Sequence, residues 1–250
     1  MSDTLRTLVA FGLTLLLVML RLEAERFGAA EYDEPVAGHA PSLARRLLWY
    51  VLGLSGVAAI LLIHPAPERD LYLVGGSAGG VFLGLVLAGL GAGVAVGIAW
   101  WRYRHVRLPD IRSYPGALVN EIATAFVDEA VFRGALLGFL ILGGVPSTFA
   151  LLGQAIIYTL ATRLGAPGRD RSILLLALAI GLVGGWATLL TGGIAASILG
   201  HGTTRVALFL TTGHPGQPAP RGTEVEEIAR GRRAPEGWRT VVGREANRDR

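Results

Sequence analysis

Seven apolar blocks, each close to the length of a membrane-crossing helix, restrict the fold of this chain more than any motif in it. They lie near residues 5–22, 46–63, 74–101, 117–142, 146–163, 172–190 and 193–211. A helix needs about 20 consecutive apolar residues to cross the hydrocarbon of a bilayer. The apolar residues also run in continuous blocks rather than in amphipathic stripes. Hydrophobic residues make up 52% of the chain and charged ones only 17%, where a soluble domain carries about 25% charge. The expected fold is all-α: a polytopic membrane bundle of about seven transmembrane helices.

Arginine placement supports the count. The segment 21–46 carries Arg21, Arg26, Arg45 and Arg46. Segment 102–116 carries Arg102, Arg104, Arg107 and Arg112, and segment 163–171 carries Arg163, Arg169 and Arg171. The alternate connections hold Arg69 alone. That alternation is what the positive-inside rule requires, and with seven spans it puts the N-terminus outside and the C-terminus in the cytoplasm. The expected location is a bacterial plasma membrane. The third block stays open. Leu71–Trp101 is either one tilted helix or a helix with a re-entrant piece, and a double crossing would break the alternation. The first block, followed by the charged "RLEAER", reads as a retained helix rather than a cleaved leader.

Three regions follow. Residues 1–110 hold the N-terminal transmembrane helices and loops, residues 111–212 a core that carries most of the charge found inside spans, and residues 213–250 a polar tail. The tail is rich in Pro, Arg and Glu and is expected to be cytoplasmic and disordered, with one or two helical turns at "TEVEEIAR", 223–230. The chain has no cysteine, which excludes disulfides, thiolate nucleophiles and cysteine metal sites. All 23 basic residues are Arg, and the net charge of +4 follows from membrane orientation; it gives no reason to expect nucleic acid as a partner. The 35 glycines suit close packing of membrane helices through small residues, or a mobile helix lining a substrate path.

Charges within the spans are the other constraint, because an ionisable group at membrane depth is costly and faces the bundle interior. The fourth block holds Glu121, Asp128, Glu129 and Arg133, and the seventh holds His201 and Arg205. Glu129 and Arg133 are spaced i,i+4 and can pair along one helix. Glu121 and Asp128, seven apart, fall on nearly the same side. His201 and Arg205 share a face of the seventh helix. These side chains are expected to meet in one buried polar centre between the fourth, fifth and seventh helices. A metal is not expected there, since two guanidiniums would oppose a cation and one His is few for a zinc site.

"DEAVFRG", Asp128–Gly134, resembles the first motif of the CPBP family, the CAAX-protease and bacteriocin-processing intramembrane endopeptidases. That motif reads Glu-Glu-x-x-x-Arg, with Phe often before the Arg and Gly after it. The family's Phe-x-x-x-His and His-x-x-x-Asn then correspond to "YTLAT", Tyr158–Thr162, and "HGTTR", His201–Arg205. The resemblance covers residues from about 110 to 211 and implies a CPBP-like core at 111–212. It implies hydrolysis of a peptide bond by water that a carboxylate activates, with no cofactor. By position, Asp128 and Glu129 are the acids and Arg133 their partner, while His201 and Arg205 stand where the family holds its water or oxyanion. The implied partners are membrane lipids and a membrane-associated peptide or protein substrate.

The motifs also depart from the family. Asp128 replaces a Glu, Thr162 replaces a His and Arg205 replaces an Asn. Thr162 does not titrate near neutral pH, and Arg205 is permanently charged. Three readings stay open: an intramembrane endopeptidase, a catalytically dead relative that scaffolds a membrane partner, and a small proton-coupled transporter that uses the acids as a relay. The first requires Asp128 or Glu129 to open on a water-sized cavity facing His201. The second requires Arg205 to clamp those acids.

Overall fold

A computed structural model describes residues 1–24, 26–27, 43–103, 106–108, 115–164, 171–212 and 239–242. Helices form within a few residues of the apolar blocks. They are α1 (Asp3–Leu22), α2 (Leu43–Ile63), a one-turn α3 (Pro67–Asp70) and α4 (Ala78–Tyr103). The fourth block is a continuous rod of α5 (Pro115–Asp128), a π-helical segment (Glu129–Leu136) and α6 (Leu137–Leu142). Then come α7 (Ser147–Leu164), α8 (Arg171–Thr191) and α9 (Ala195–Thr212). The protein is an integral membrane helical bundle.

Four of the described helices are long and apolar enough to cross a membrane: α1, α2, α4 and α8. They turn many large apolar side chains outward, such as Leu16, Leu62, Phe82 and Leu175. The rod and α9 carry the buried charged side chains, apart from Arg21 of α1. They bury them against other helices, where an apolar surface is not needed.

The third block contains a single long helix. Helix α4 begins only at Ala78, and Leu71–Ser77 forms a non-helical strap across one end of the bundle. Glycines let the strap pack closely. A Cβ at Gly134 would run into Leu73, and one at Gly138 would lie 2.9 Å from Leu71 Cα. Tyr72 N donates to Gly134 O at 3.1 Å, and Ile194 N donates to Val74 O at 2.9 Å. Non-helical backbone at this depth survives because its polar groups are satisfied by protein.

Helix α1 is fixed at both ends. Ser2 Oγ accepts from Leu5 N at the start, and Leu20 O accepts from Trp49 Nε1 at 3.0 Å near the finish. Its last turn carries Arg21. Outside the bundle, β1 (Val106–Leu108) pairs antiparallel with β2 (Arg239–Val242). The expectation of a wholly disordered tail does not hold at these four residues, because strand pairing orders them. The turn expected at 223–230 lies outside the described residues.

Candidate active site

Successive residues of a helix point about 100° apart. Asp128 and Glu129 therefore address different neighbours, and they sit where α5 passes into the π segment. Asp128 turns toward α1, where Arg21 Nε meets its Oδ1 at 2.7 Å. Glu129 turns toward α9, where His201 Nδ1 meets its Oε1 at 2.7 Å. Arg133 Nη1 reaches the same Oε1 at 3.0 Å, the i,i+4 pair expected from spacing. All of these side chains are buried.

Two further contacts complete the layer. Tyr158 on α7 places its hydroxyl 3.2 Å from His201 Nε2, and the guanidinium of Arg133 lies over its ring, 4.1 Å from the centroid. One stage along the rod, Arg205 Nε meets Glu121 Oε2 at 2.8 Å. Asn120 Nδ2 donates to Glu121 Oε1 at 3.2 Å, and Tyr50 OH donates to Asn120 Oδ1 at 2.6 Å. Three carboxylates thus meet three guanidiniums, and the layer is electrically balanced with a neutral imidazole.

Glu129 is the member with chemistry in reserve. Its Oε1 takes both Arg133 and His201, while Oε2 takes no hydrogen bond among the described residues. Beside it is Gly184 of α8, whose missing Cβ would stand 3.5 Å from Glu129 Oε2 and 3.5 Å from Arg133 Nε. Gly184 also lines a largely apolar cavity of about 170 Å³ between α4, α8 and α9, with Ser197, His201 and Thr204 on its polar side. A carboxylate oxygen and a guanidinium nitrogen therefore lie together beside Gly184, a residue of the cavity wall. The first can take a proton from water and the second can stabilise a developing oxyanion.

Residues 110–207 match the family model described as type II CAAX prenyl endopeptidase Rce1-like. Residues 110–207 are thus similar to the Rce1-like family. The match bears out the resemblance to the CPBP intramembrane endopeptidases that the first motif carries. No curated protein and no solved structure matches the chain.

The Rce1-like core does not gather every expected residue at one point. Glu129, Arg133 and His201 come together. Asp128 is drawn aside by Arg21, and Arg205 pairs with Glu121 rather than with either acid of the first motif. Thr162 is buried one turn beyond Tyr158 on α7. The hydroxyl that reaches His201 is that of Tyr158.

Sequence reasoning missed Arg21 and Tyr158. Arg21 was counted among the arginines that orient a loop, yet it is 2% exposed. A charge count would have pointed to it, because three carboxylates in the fourth block face only two arginines inside the core spans. Tyr158 stands at the family's Phe position, and its hydroxyl is the only group added there.

Proposed function

We propose that the Rce1-like core is an intramembrane endopeptidase that hydrolyses a peptide bond of a membrane-associated substrate. The observation that carries this reading is the Oε2 of Glu129, which takes no hydrogen bond among the described residues and lies beside Gly184, a residue of the cavity that His201 also lines. Glu129 takes a proton from a water beside Oε2, and the water oxygen attacks the substrate carbonyl; the C–N bond then breaks as Glu129 gives that proton to the leaving amine. Arg133, with its Nε at the same point, steadies the oxyanion. His201 holds Glu129 in orientation through Oε1. Asp128 serves the layer as the counter-ion of Arg21 rather than as the base. The apolar lining from α4 and α8 suits a substrate anchored in lipid, and the arginine pattern supports a cytoplasmic C-terminus for the chain.

One observation favours the second reading, a membrane scaffold without activity. All three buried acids, Glu121, Asp128 and Glu129, are paired with guanidiniums. Proteolysis in liposomes against a panel of membrane-tethered reporter peptides separates the two. The endopeptidase reading expects cleavage by the wild type and none by Glu129→Gln. Silence of the wild type across the panel, with cleavage only after Thr162→His, would leave the scaffold reading.

A further inference from the structure

We infer that Tyr158 is a positioning residue which, through His201, fixes which oxygen of Glu129 is left for water. Its effect on His201 rests on geometry alone, and its consequence for turnover rests on the endopeptidase reading.

The hydrogen bonds can be assigned by their chemistry. An ionised carboxylate only accepts, so at 2.7 Å from Glu129 Oε1 the Nδ1 of His201 carries the proton. In the neutral ring Nε2 is then a lone pair. The group facing that lone pair at 3.2 Å is the phenol of Tyr158, which donates its O–H. The chain of donors therefore runs one way, from Tyr158 to His201 to Glu129 Oε1. Arg133 Nη1 forms an ion pair with the same oxygen at 3.0 Å. Oε1 thus has two partners, and Oε2 faces Gly184.

The phenol is held for this purpose by its ring. Phe132 meets the ring edge-on with centroids 5.2 Å apart, and Arg133 covers its face. Both contacts need only the ring, so phenylalanine would keep them. What phenylalanine lacks is the donor to the Nε2 lone pair. Without it the ring loses its partner on the side away from Glu129, and its hold on Oε1 loosens.

The test uses the full chain in detergent micelles or nanodiscs, with the histidine rings labelled with ¹⁵N and the His201 signals assigned by their loss in His201→Gln. The wild type is expected to show a protonated Nδ1 and an unprotonated Nε2. Tyr158→Phe is expected to keep the unfolding temperature and to shift the His201 Nε2 signal, as that nitrogen loses its donor. It is also expected to lower kcat on a cleaved reporter by roughly tenfold, the rate equivalent of one neutral hydrogen bond, with KM unchanged. A protonated Nε2 in the wild type overturns the inference. So does a Tyr158→Phe variant whose His201 spectrum and kcat both match the wild type. If the wild type cleaves no reporter, the ¹⁵N spectra still decide the role of Tyr158, and only the endopeptidase reading falls.

Discussion

Arg21, in the last turn of α1, closes on Asp128 at 2.7 Å with both side chains buried. The pair ties the first helix of the chain to the rod one residue before the π segment. Removing one partner of a buried ion pair leaves an uncompensated charge and costs about 3–5 kcal/mol, whereas replacing both with apolar groups is close to neutral. Arg21→Met is therefore expected to lower the thermal unfolding temperature in detergent sharply, and Arg21→Met/Asp128→Leu to recover most of it. Equal destabilisation by the single and double variants would show that the pair is not buried as described.

Gly184 separates stability from activity. An added methyl would meet Ser197 Cβ at 3.3 Å and Glu129 Oε2 at 3.5 Å, a tight but tolerable fit. Alanine is preferred over glycine inside a helix by about 1 kcal/mol. Gly184→Ala is thus expected to leave unfolding in detergent unchanged or slightly later. The methyl crowds the space beside Glu129 Oε2 where the attacking water is proposed to approach, so reporter cleavage is expected to drop by about a hundredfold, within the range ascribed to general base catalysis. Full activity in this variant would move the reacting water elsewhere.

Restoring the family's Asn at 205 carries a structural cost. Arg205 is the partner of Glu121, so Arg205→Asn alone leaves that carboxylate buried without its cation. The expected loss is again several kcal/mol, seen as a lower yield of folded protein in detergent. Adding Glu121→Gln should restore the yield, because the amide keeps a partner in Asn120 without keeping the charge. An Arg205→Asn variant as stable as the wild type would contradict a buried pair.

His64, just beyond the end of α2, gives the fold a pH dependence. Its Nδ1 accepts from Ala66 N at 3.2 Å, and its ring packs edge-on against Phe139 with centroids 5.5 Å apart. Burial holds its pKa below the ordinary value, with Arg6 and Arg69 acting in the same direction and Asp70 against them. The unfolded chain then takes up a proton near pH 6.5 while the folded chain still resists it. Stability is full above about pH 6.5 and is lost as pH falls through the folded value. Unfolding temperature between pH 8 and 5 should fall more steeply for the wild type than for His64→Gln. Parallel curves would discount His64.

The bundle was legible because membrane helices announce themselves by block length, and each expected span matches a long helix within a few residues. The pairing of Glu129 with Arg133 was legible because it is local. The partners across helices were not. Helical spacing puts Glu121 and Asp128 on one side of the rod but does not say that α9 supplies a cation to one and α1 to the other. The π segment was also hidden, since it depends on which backbone carbonyls find partners, as where Leu137 N bonds Phe132 O. Leu71–Ser77 looked like part of a span because its composition is apolar. Its backbone is instead satisfied by Gly134 and by the turn before α9.

The balance of three acids against three guanidiniums has a consequence for descent. A lone substitution at either end of a pair carries the full penalty of a stranded charge, so such positions drift in double steps. Relatives of this chain should carry Arg21 with Asp128, or neither, and Arg205 with Glu121, or neither. Two matched letters far apart in the sequence, one in the first helix and one in the rod, would then be a sharper mark of this lineage than the degenerate motifs themselves.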